Sequence, residues 1–357
     1  MKKAFRIGLF ILCLSNLYAQ APKFSNDFLN IGVGARGMGM GSAVVASVKS
    51  INAAYWNPAA LSLVPVKFQV GAQHAEWFSG VGNYDYLAFG KSMGEESKSF
   101  GSISLIRMGI DNIPNTLRLR APDGSIDYSR IETFSVADYA LLGSYARKFK
   151  SDKIHIGANA KVIHRSFGSF AKAWGFGVDL GLHMQLSQKI QLGVMARDIT
   201  TTFNAYKFGF TDEQEAVLLQ TNNSIPSSSV EYTLPKLIGA LAYEHSFSEK
   251  LVLISEIDIE FSNNSSGSNL IGAKNFTADP RIGFELGISK KVNIRLGANN
   301  FQSVLKDDGS GKKQFSFYPT AGLGIQLKRV SIDYAMTNIA NAGVGLYSHF
   351  ISLNLNF

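Results

Sequence analysis

The chain has 357 residues, a formal net charge of +8 and 46% hydrophobic residues, with 34 glycines and 25 phenylalanines. Its lysines and arginines are dispersed, which argues against a nucleic-acid-binding surface, since such a surface needs a basic stripe or motif. Cys13 is the single cysteine, so disulfides within the chain are excluded. The six histidines include no short-spaced pair of the kind that zinc sites use. The sequence predicts no catalytic residue, no metal and no cofactor.

The N-terminus has the pattern of an export signal. Three basic residues precede an apolar stretch over residues 7–17, and Ala19 is a small residue just before a cleavage point. The apolar stretch is too short to span a bilayer as a helix. We therefore expect residues 1–19 to be a cleaved signal peptide and the mature chain to be exported.

Beyond the signal, apolar residues alternate with polar or small ones along many short segments. Every second residue from Trp174 to Leu186 is apolar, and glycine or polar residues lie between them. A period of two is the pattern of a β-strand with one apolar face. The alternation predicts fourteen strands, most of them long enough to cross a membrane when tilted, at residues 66–77, 83–92, 99–110, 137–149, 154–166, 174–186, 190–199, 235–247, 251–261, 281–289, 292–300, 316–327, 330–337 and 347–357.

The connections between the predicted strands differ in length at the two ends. They are short after every even-numbered strand, whereas the others include long runs at 111–136, 200–234, 262–280 and 301–315. Outer-membrane barrels have this pattern, with tight periplasmic turns and long outer loops. The last strand ends in Phe357, and a C-terminal aromatic residue resembles the signal that barrel-assembly machinery recognises. We predict an all-β, transmembrane antiparallel β-barrel of about fourteen strands, located in the cell outer membrane and surrounded by its lipid.

Charged residues on the predicted lumenal faces are expected to form ion pairs with one another. Acid–base catalysis by neighbouring carboxylates is the weaker alternative. The carboxylates are Asp179, Glu256, Asp258, Glu260 and Glu285, and the cations are Lys161, Arg165 and Arg295.

Residues 20–65 do not alternate like a barrel wall. Gly32, Gly34 and Gly37 satisfy the G-x-G-x-x-G pattern, but no strand precedes them within a βαβ unit, so a dinucleotide site is not expected. Glycine at this density indicates close backbone packing or turns. The sequence therefore divides into a signal peptide (1–19), an N-terminal plug segment (20–65) and the barrel (66–357).

Two blocks of the plug segment carry a family resemblance. FLNIGVGARGMGMGSAVVA begins at Phe28 and AAYWNPAAL begins at Ala53, and their pairing after a signal peptide resembles the PorV/PorQ family, which is related to FadL-type transporters. The resemblance implies a fourteen-stranded barrel with an N-terminal plug, and an association with type IX protein secretion. It places candidate plug or binding residues at Arg36, Gly37, Met38, Gly39, Met40, Tyr55, Trp56, Asn57 and Pro58.

Two functions follow from this interpretation. The first is an accessory role in type IX secretion, in which the barrel binds translocon components or cargo with a sorting domain. The alternative is a FadL-like outer-membrane channel that binds a hydrophobic ligand in its lumen. The predicted loop 200–234 contains apolar residues, among them Tyr206, Phe208 and Phe210, that suit either role. An enzyme and a nucleic-acid partner are not expected.

Overall fold

The computed structural model describes residues 26–94, 98–120, 124–149, 152–220, 225, 228–263, 271–273, 276–306, 309–340 and 346–357. The predicted signal peptide and the first residues of the predicted plug, 20–25, lie outside the described residues. The division at residues 19 and 65 therefore stays a prediction.

The described chain forms one antiparallel sheet of seventeen strand segments. The segments are β1 (Phe68–Trp77), β2 (Gly82–Met93), β3 (Ser99–Asn115), β4 (Glu132–Lys148), β5 (Ile154–Phe167), β6 (Ala171–Gln185), β7 (Ile190–Arg197), β8 (Thr202–Phe208), β9 (Ser228–Thr233), β10 (Lys236–Ser248), β11 (Leu251–Ser262), β12 (Ile271–Ala273), β13 (Phe276–Ile288), β14 (Val292–Leu305), β15 (Lys313–Gln326), β16 (Val330–Thr337) and β17 (Ser348–Asn356).

The sheet closes on itself as a barrel of fourteen wall strands, which confirms the predicted fold. Consecutive wall strands pair, and β17 pairs with β1 over the register Gln69–Asn356 to Glu76–His349. β6 pairs with β7 along one half and with β8 along the other, so β7 and β8 together fill one wall position. In the same way β9 and β10 fill the next position, because β9 pairs with β8 and β10 with β7. The three-residue β12 pairs with β13 and adds no wall position.

The break between β7 and β8 lies at residues 198–201. Asp198 and Thr201 both have positive φ, at 55° and 56°, which ends the regular strand. Pro235 separates β9 from β10 and has no N–H to give to the ladder. Two adjacent wall positions are therefore interrupted here, and among the described residues β9 pairs with β8 only.

The two ends of the barrel differ, as the loop lengths predict. At the short-turn end, described turns such as 249–250 and 289–291 join the strands. At the long-loop end, β8, β9 and the helix α3 (Asp212–Gln220) occupy most of the predicted loop 200–234. β3 extends to Asn115 and β4 begins at Glu132, so the loop between them is shorter than the predicted loop 111–136. Two connections at this end, 78–81 and 168–170, are tight.

The wall residues alternate between an exposed outer face and a buried lumenal face. On β2 and β3, Leu87 and Ile103 are exposed, whereas their neighbours Tyr86 and Ser104 are buried. An exposed apolar face over a closed sheet matches a wall that faces lipid.

Residues 26–65 lie inside the barrel and fill its middle. They form 3₁₀ turns at Asp27–Asn30 and Pro58–Leu63 and two short helices, α1 (Ala35–Gly39) and α2 (Ala53–Trp56). We call residues 26–65 the plug. Its apolar side chains form one buried cluster with lumenal residues of the wall, such as Ile106 and Met195.

Glycine lets the plug backbone touch the wall backbone. A Cβ on Gly297 of β14 would lie 2.2 Å from the amide nitrogen of Gly41, and one on Gly39 would lie 3.0 Å from the Cα of Gly322. Real Cβ atoms do not approach backbone as closely as 2.2 Å, so Gly297 has to be glycine for the plug to lie where it does. The expectation of close backbone packing is confirmed at these contacts.

Among the described residues, no helix combines the length and the apolar character needed to cross a membrane.

Candidate functional site

Two wall carboxylates hold the plug by its backbone. On β11, Asp258 accepts hydrogen bonds from the N–H groups of Val44 and Val45, at 3.1 and 3.2 Å. Glu256 accepts from the next two N–H groups along the plug, those of Ala46 and Ser47, at 2.6 and 3.1 Å. The prediction that Glu256 and Asp258 pair with lumenal cations is thus wrong. Both side chains bind backbone N–H groups of the plug instead.

Other lumenal charges pair as the sequence predicts. Glu285 binds Arg295, which also binds Asp333 at 2.7 Å. The plug joins this network through Arg36, whose Nε lies 2.9 Å from Glu285. The network therefore ties α1 to β13, β14 and β16 by charge-assisted hydrogen bonds, which are stronger than neutral ones.

A second charged cluster lies beside the break in the wall. The buried ammonium of Lys161 lies 2.8 Å from Asp179 and also binds Asp198, the first residue of the break. Asp198 accepts a further hydrogen bond from the Thr202 hydroxyl. These contacts fix the irregular backbone of residues 198–201 against β5 and β6.

The candidate residues Trp56 and Gly37 form the centre of the plug. The indole N–H of Trp56 donates to the carbonyl oxygen of Val33 at 2.7 Å. A Cβ on Gly37 would lie 3.0 Å from the indole ring, and one on Gly32 would lie 2.6 Å from the sulfur of Met38. The glycines of the first block thus make room for the tryptophan of the second block.

Tyr55, Asn57 and Pro58 attach the plug to the wall strands β5, β6 and β7. The guanidinium of Arg197 lies 4.6 Å from the Tyr55 ring centroid and donates to the Tyr55 carbonyl oxygen at 3.2 Å. The Asn57 amide donates to the carbonyl oxygen of Leu182 on β6, at 3.1 Å. Pro58 packs on Gly157 of β5, where a Cβ would lie 2.4 Å from the Pro58 carbonyl carbon.

Nine candidate residues were predicted, and the structure places all of them in the plug. Met38, Tyr55 and Trp56 line a polar cavity of about 320 Å³ on the long-loop side of the plug. Arg36 lines a second polar cavity, of about 350 Å³, on the short-turn side. Gly37, Gly39, Met40, Asn57 and Pro58 are buried in packing contacts. The plug thus separates two polar cavities, one at each end of the lumen.

A third cavity, which we call the aromatic pocket, opens at the long-loop end. Its volume is about 720 Å³, within the range of small-ligand sites. It shares Ile31 and Trp77 with the outer polar cavity, so the two are adjacent. Aromatic residues are the largest group in its lining, and they come from the plug, from the wall strands and their connections, and from β8 and the residues after it: Phe28, Trp77, Phe134, Phe167, Phe170, Tyr206, Phe208 and Phe210.

Arg165 is the one cation among the described residues that line the aromatic pocket. Its guanidinium binds Asp138 through two hydrogen bonds, at 2.8 and 2.9 Å. It also lies 3.3 Å from Glu231 and donates to the Tyr206 hydroxyl at 2.7 Å. Two carboxylates therefore surround one cation, so the pocket offers no unneutralised positive charge to an anionic ligand.

Sequence reasoning found only part of this pocket. The apolar character of the loop 200–234 indicated Tyr206, Phe208 and Phe210. Phe28, Phe167 and Phe170 were missed, because they lie far apart in the chain and only closure of the barrel brings them together. The excess of phenylalanine was the available signal, but composition does not say which rings meet.

Residues 90–94 spell the G-x-S-x-G pattern of a serine nucleophile elbow. Ser92, however, lies within β2 and its N–H donates to the carbonyl oxygen of Lys67, as a wall residue would. An elbow requires a sharp strand-to-helix turn. Among the described residues, no group of three His, Cys, Asp or Glu side chains is placed to hold a metal ion.

The fold and the site define a closed, plugged, fourteen-stranded barrel with an aromatic pocket above the plug. No family model matches the sequence. No curated protein matches it either.

Solved structures share the fold at low sequence identity. The toluene transporter TodX of Pseudomonas putida is 14% identical with a TM-score of 0.58, over 94% of this chain and 100% of that chain. The Ralstonia pickettii toluene transporter TbuX is 13% identical with a TM-score of 0.54, over 91% and 98%. A Pseudomonas aeruginosa FadL homologue is 11% identical with a TM-score of 0.53, over 94% and 100%. The likeness establishes a FadL-like barrel architecture.

Proposed function

We propose that the protein is an outer-membrane channel for small, neutral hydrophobic compounds, which bind first in the aromatic pocket. The observation that carries the proposal is the position of this pocket, open at the long-loop end and directly above the plug. An apolar solute gains about 25 cal/mol for each Å² that it removes from water. Two of the similar structures are toluene transporters, which supports a solute of this class.

The charges of the pocket favour a neutral solute over a fatty acid. Arg165 is already paired with Asp138 and Glu231, and Asp27 also lines the pocket, so a ligand carboxylate would face three carboxylates and a single cation. Aromatic rings also prefer edge-to-face contact with other rings, worth about 0.5–1.5 kcal/mol for each pair beyond burial. We therefore assign the pocket to monoaromatic or similarly compact compounds.

Three observations together support a location in the outer membrane. The sequence predicts an export signal, the outer face of the wall is apolar, and the structures with the same fold include two toluene transporters and a FadL homologue. In the orientation usual for outer-membrane barrels, the long-loop end faces the outside and the short-turn end faces the periplasm. The plug, including Arg36 and the Tyr55–Pro58 stretch, acts as the gate.

The role in type IX secretion rests on the resemblance to the PorV/PorQ family alone. The two blocks that carry it, around Phe28–Gly41 and Ala53–Leu61, make their contacts inside their own barrel. Their glycine and aromatic pattern is accounted for by packing of the plug against the wall. Binding of translocon or cargo proteins is therefore the alternative function, and the following test distinguishes it from the channel.

The test compares ligands and partners of the protein purified in mild detergent. We expect saturable binding of radiolabelled toluene and at least tenfold weaker binding of palmitate. The proposal is wrong if toluene does not bind while secretion-system proteins co-purify in stoichiometric amount.

Truncating a ring of the aromatic pocket should weaken this binding. Phe208→Ala removes a pocket ring, and we expect a loss of about 1–2 kcal/mol, or roughly 5- to 30-fold in Kd for toluene. Phe203→Ala is the matched control, because Phe203 lies on the same strand but on the exposed outer face. Equal effects of the two substitutions in the equilibrium binding assay would place the site elsewhere.

Removing the Trp56 side chain should loosen the plug. Trp56→Ala deletes a buried indole and its hydrogen bond to Val33, and substitutions of this kind destabilise by about 3–5 kcal/mol. Lys49 is an exposed plug residue, so limited trypsin digestion reports its accessibility. We expect faster cleavage after Lys49 in Trp56→Ala than in Trp174→Ala, since Trp174 lies on the outer face. An unchanged cleavage rate would show that Trp56 does not hold the plug.

A further inference from the structure

A groove of about 680 Å³ runs along the outer face of the wall between β2 and β6. It follows from one row of cross-strand neighbours in which the side chains change abruptly in size. Phe89 pairs with Ile103, Ile103 with Gly143, Gly143 with Ala160, and Ala160 with Val178. Large side chains thus bound a gap over Gly143 and Ala160 on the membrane-facing surface.

The gap is open space and not a tightly packed seam. A Cβ added to Gly143 would meet no atom within 4 Å. Gly101, on the neighbouring strand, is different, because the Met93 side chain already lies 2.8 Å from the position of its Cβ. Within a bilayer no water is present to fill such a groove, so a hydrocarbon chain is its natural occupant.

Two cations lie at the short-turn end of the groove. Lys91 lines it and pairs across the ladder with Gly101. Arg147, two strands away, pairs with Ser99 and lies one step closer to that end. Both side chains are exposed, and neither forms an ion pair with any carboxylate of the described residues. Two strand spacings of about 4.8 Å and an offset of two residues along the strand place the starts of these two long side chains roughly 12 Å apart, so both can reach one phosphate.

We propose that this groove is a binding site for one phospholipid of the leaflet at the short-turn end. One acyl chain lies over Gly143 and Ala160, and the phosphate is held by Lys91 and Arg147. Apolar depth and positive charge at one end are together what a phospholipid requires. The site rests on the membrane location of the barrel but not on its role as a channel.

The test is native mass spectrometry of the detergent-purified protein during titration with dipalmitoylphosphatidylglycerol. We expect a saturable first lipid adduct on the wild type. Gly143→Leu fills the groove, and its apparent Kd for the first lipid should rise at least tenfold. Gly239→Leu is the matched control, because Gly239 faces outward on β10 and its added Cβ also meets no atom within 4 Å. This control should titrate like the wild type.

The headgroup half of the site is tested separately. The double variant Lys91→Gln/Arg147→Gln should lose the first lipid as Gly143→Leu does. Lys172→Gln, on the outer face near the long-loop end of β6, should not. If Gly143→Leu binds the first lipid with the same apparent Kd as the wild type, the proposal is wrong. A dimer in the wild type that Gly143→Leu abolishes also overturns it, since the groove would then be an interface between two copies.

Folding and transport are read independently in the same samples. Heat-modifiable gel migration verifies that each variant forms the closed barrel. Toluene binding should be equal in all of them, because the aromatic pocket lies at the other end. Loss of toluene binding from the wild type would contradict the channel proposal and leave the lipid site standing.

Discussion

Replacing Glu256 and Asp258 together by alanine is expected to release the plug and turn a closed barrel into an open one. The substitution removes the acceptors of four consecutive plug N–H groups, those of residues 44–47. Hydrogen bonds to charged acceptors contribute about 1.5–3 kcal/mol each. Burial of two neighbouring carboxylates offsets several kcal/mol of this gain.

The net change in the free energy of plug seating is then about 3 kcal/mol, which is roughly a hundredfold in the released population. Planar-bilayer recordings should show rare openings for the wild type and frequent ones for the double variant, with faster trypsin cleavage after Lys49. Glu260→Gln is the control, because Glu260 is on the same face of β11 but pairs with Lys236 and Arg281. Frequent openings in Glu260→Gln as well would show that lumenal charge in general, and not the backbone contacts, closes the barrel.

The wall of this barrel was predictable because each wall residue meets one of two environments. Alternation along segments such as 174–186 reports which side faces lipid, and fourteen such segments sufficed for the strand number. The pattern fails at residues 198–201 and at Pro235, where the wall strands are interrupted. β8 and β9 were assigned to a loop for this reason, although they pair with the sheet beyond the interruption.

The lumenal contacts were less predictable than the wall. Glu285 with Arg295, and Asp179 with Lys161, pair as side chains of opposite charge, so sequence could propose them. The partners of Glu256 and Asp258 are backbone N–H groups, which every residue except proline carries and which leave no mark in the sequence. The same limit applies to the aromatic pocket, whose rings come from distant segments.

Among the lumenal contacts, those made by glycine were predictable. The density of glycine in the first plug block correctly indicated close backbone contact. The wall supplies the other half of that contact through Gly283 and Gly297, which the alternation pattern treats simply as lumenal positions. Gly297 thus meets Gly41 and Gly283 meets the Met40 backbone, so a single methyl group in the wall should be enough to disturb the plug.

Gly297→Val tests this directly and should displace the plug without preventing barrel formation. Its Cβ would lie 2.2 Å from both the Gly41 nitrogen and the Met40 carbonyl carbon, so the plug backbone has to move. Overpacking commonly costs about 1–3 kcal/mol where side chains can adjust, and backbone on both sides leaves little adjustment here. We expect openings in bilayer recordings and trypsin cleavage after Lys49 at least tenfold faster than in the wild type.

Gly239→Val provides the comparison, since its added side chain points outward into open space. It should migrate, conduct and resist trypsin like the wild type. Both variants should show heat-modifiable migration, because neither changes a ladder hydrogen bond. If Gly297→Val instead stays closed and protease-resistant, the contact between Gly41 and Gly297 does not position the plug, and the carboxylates of β11 would have to hold it alone.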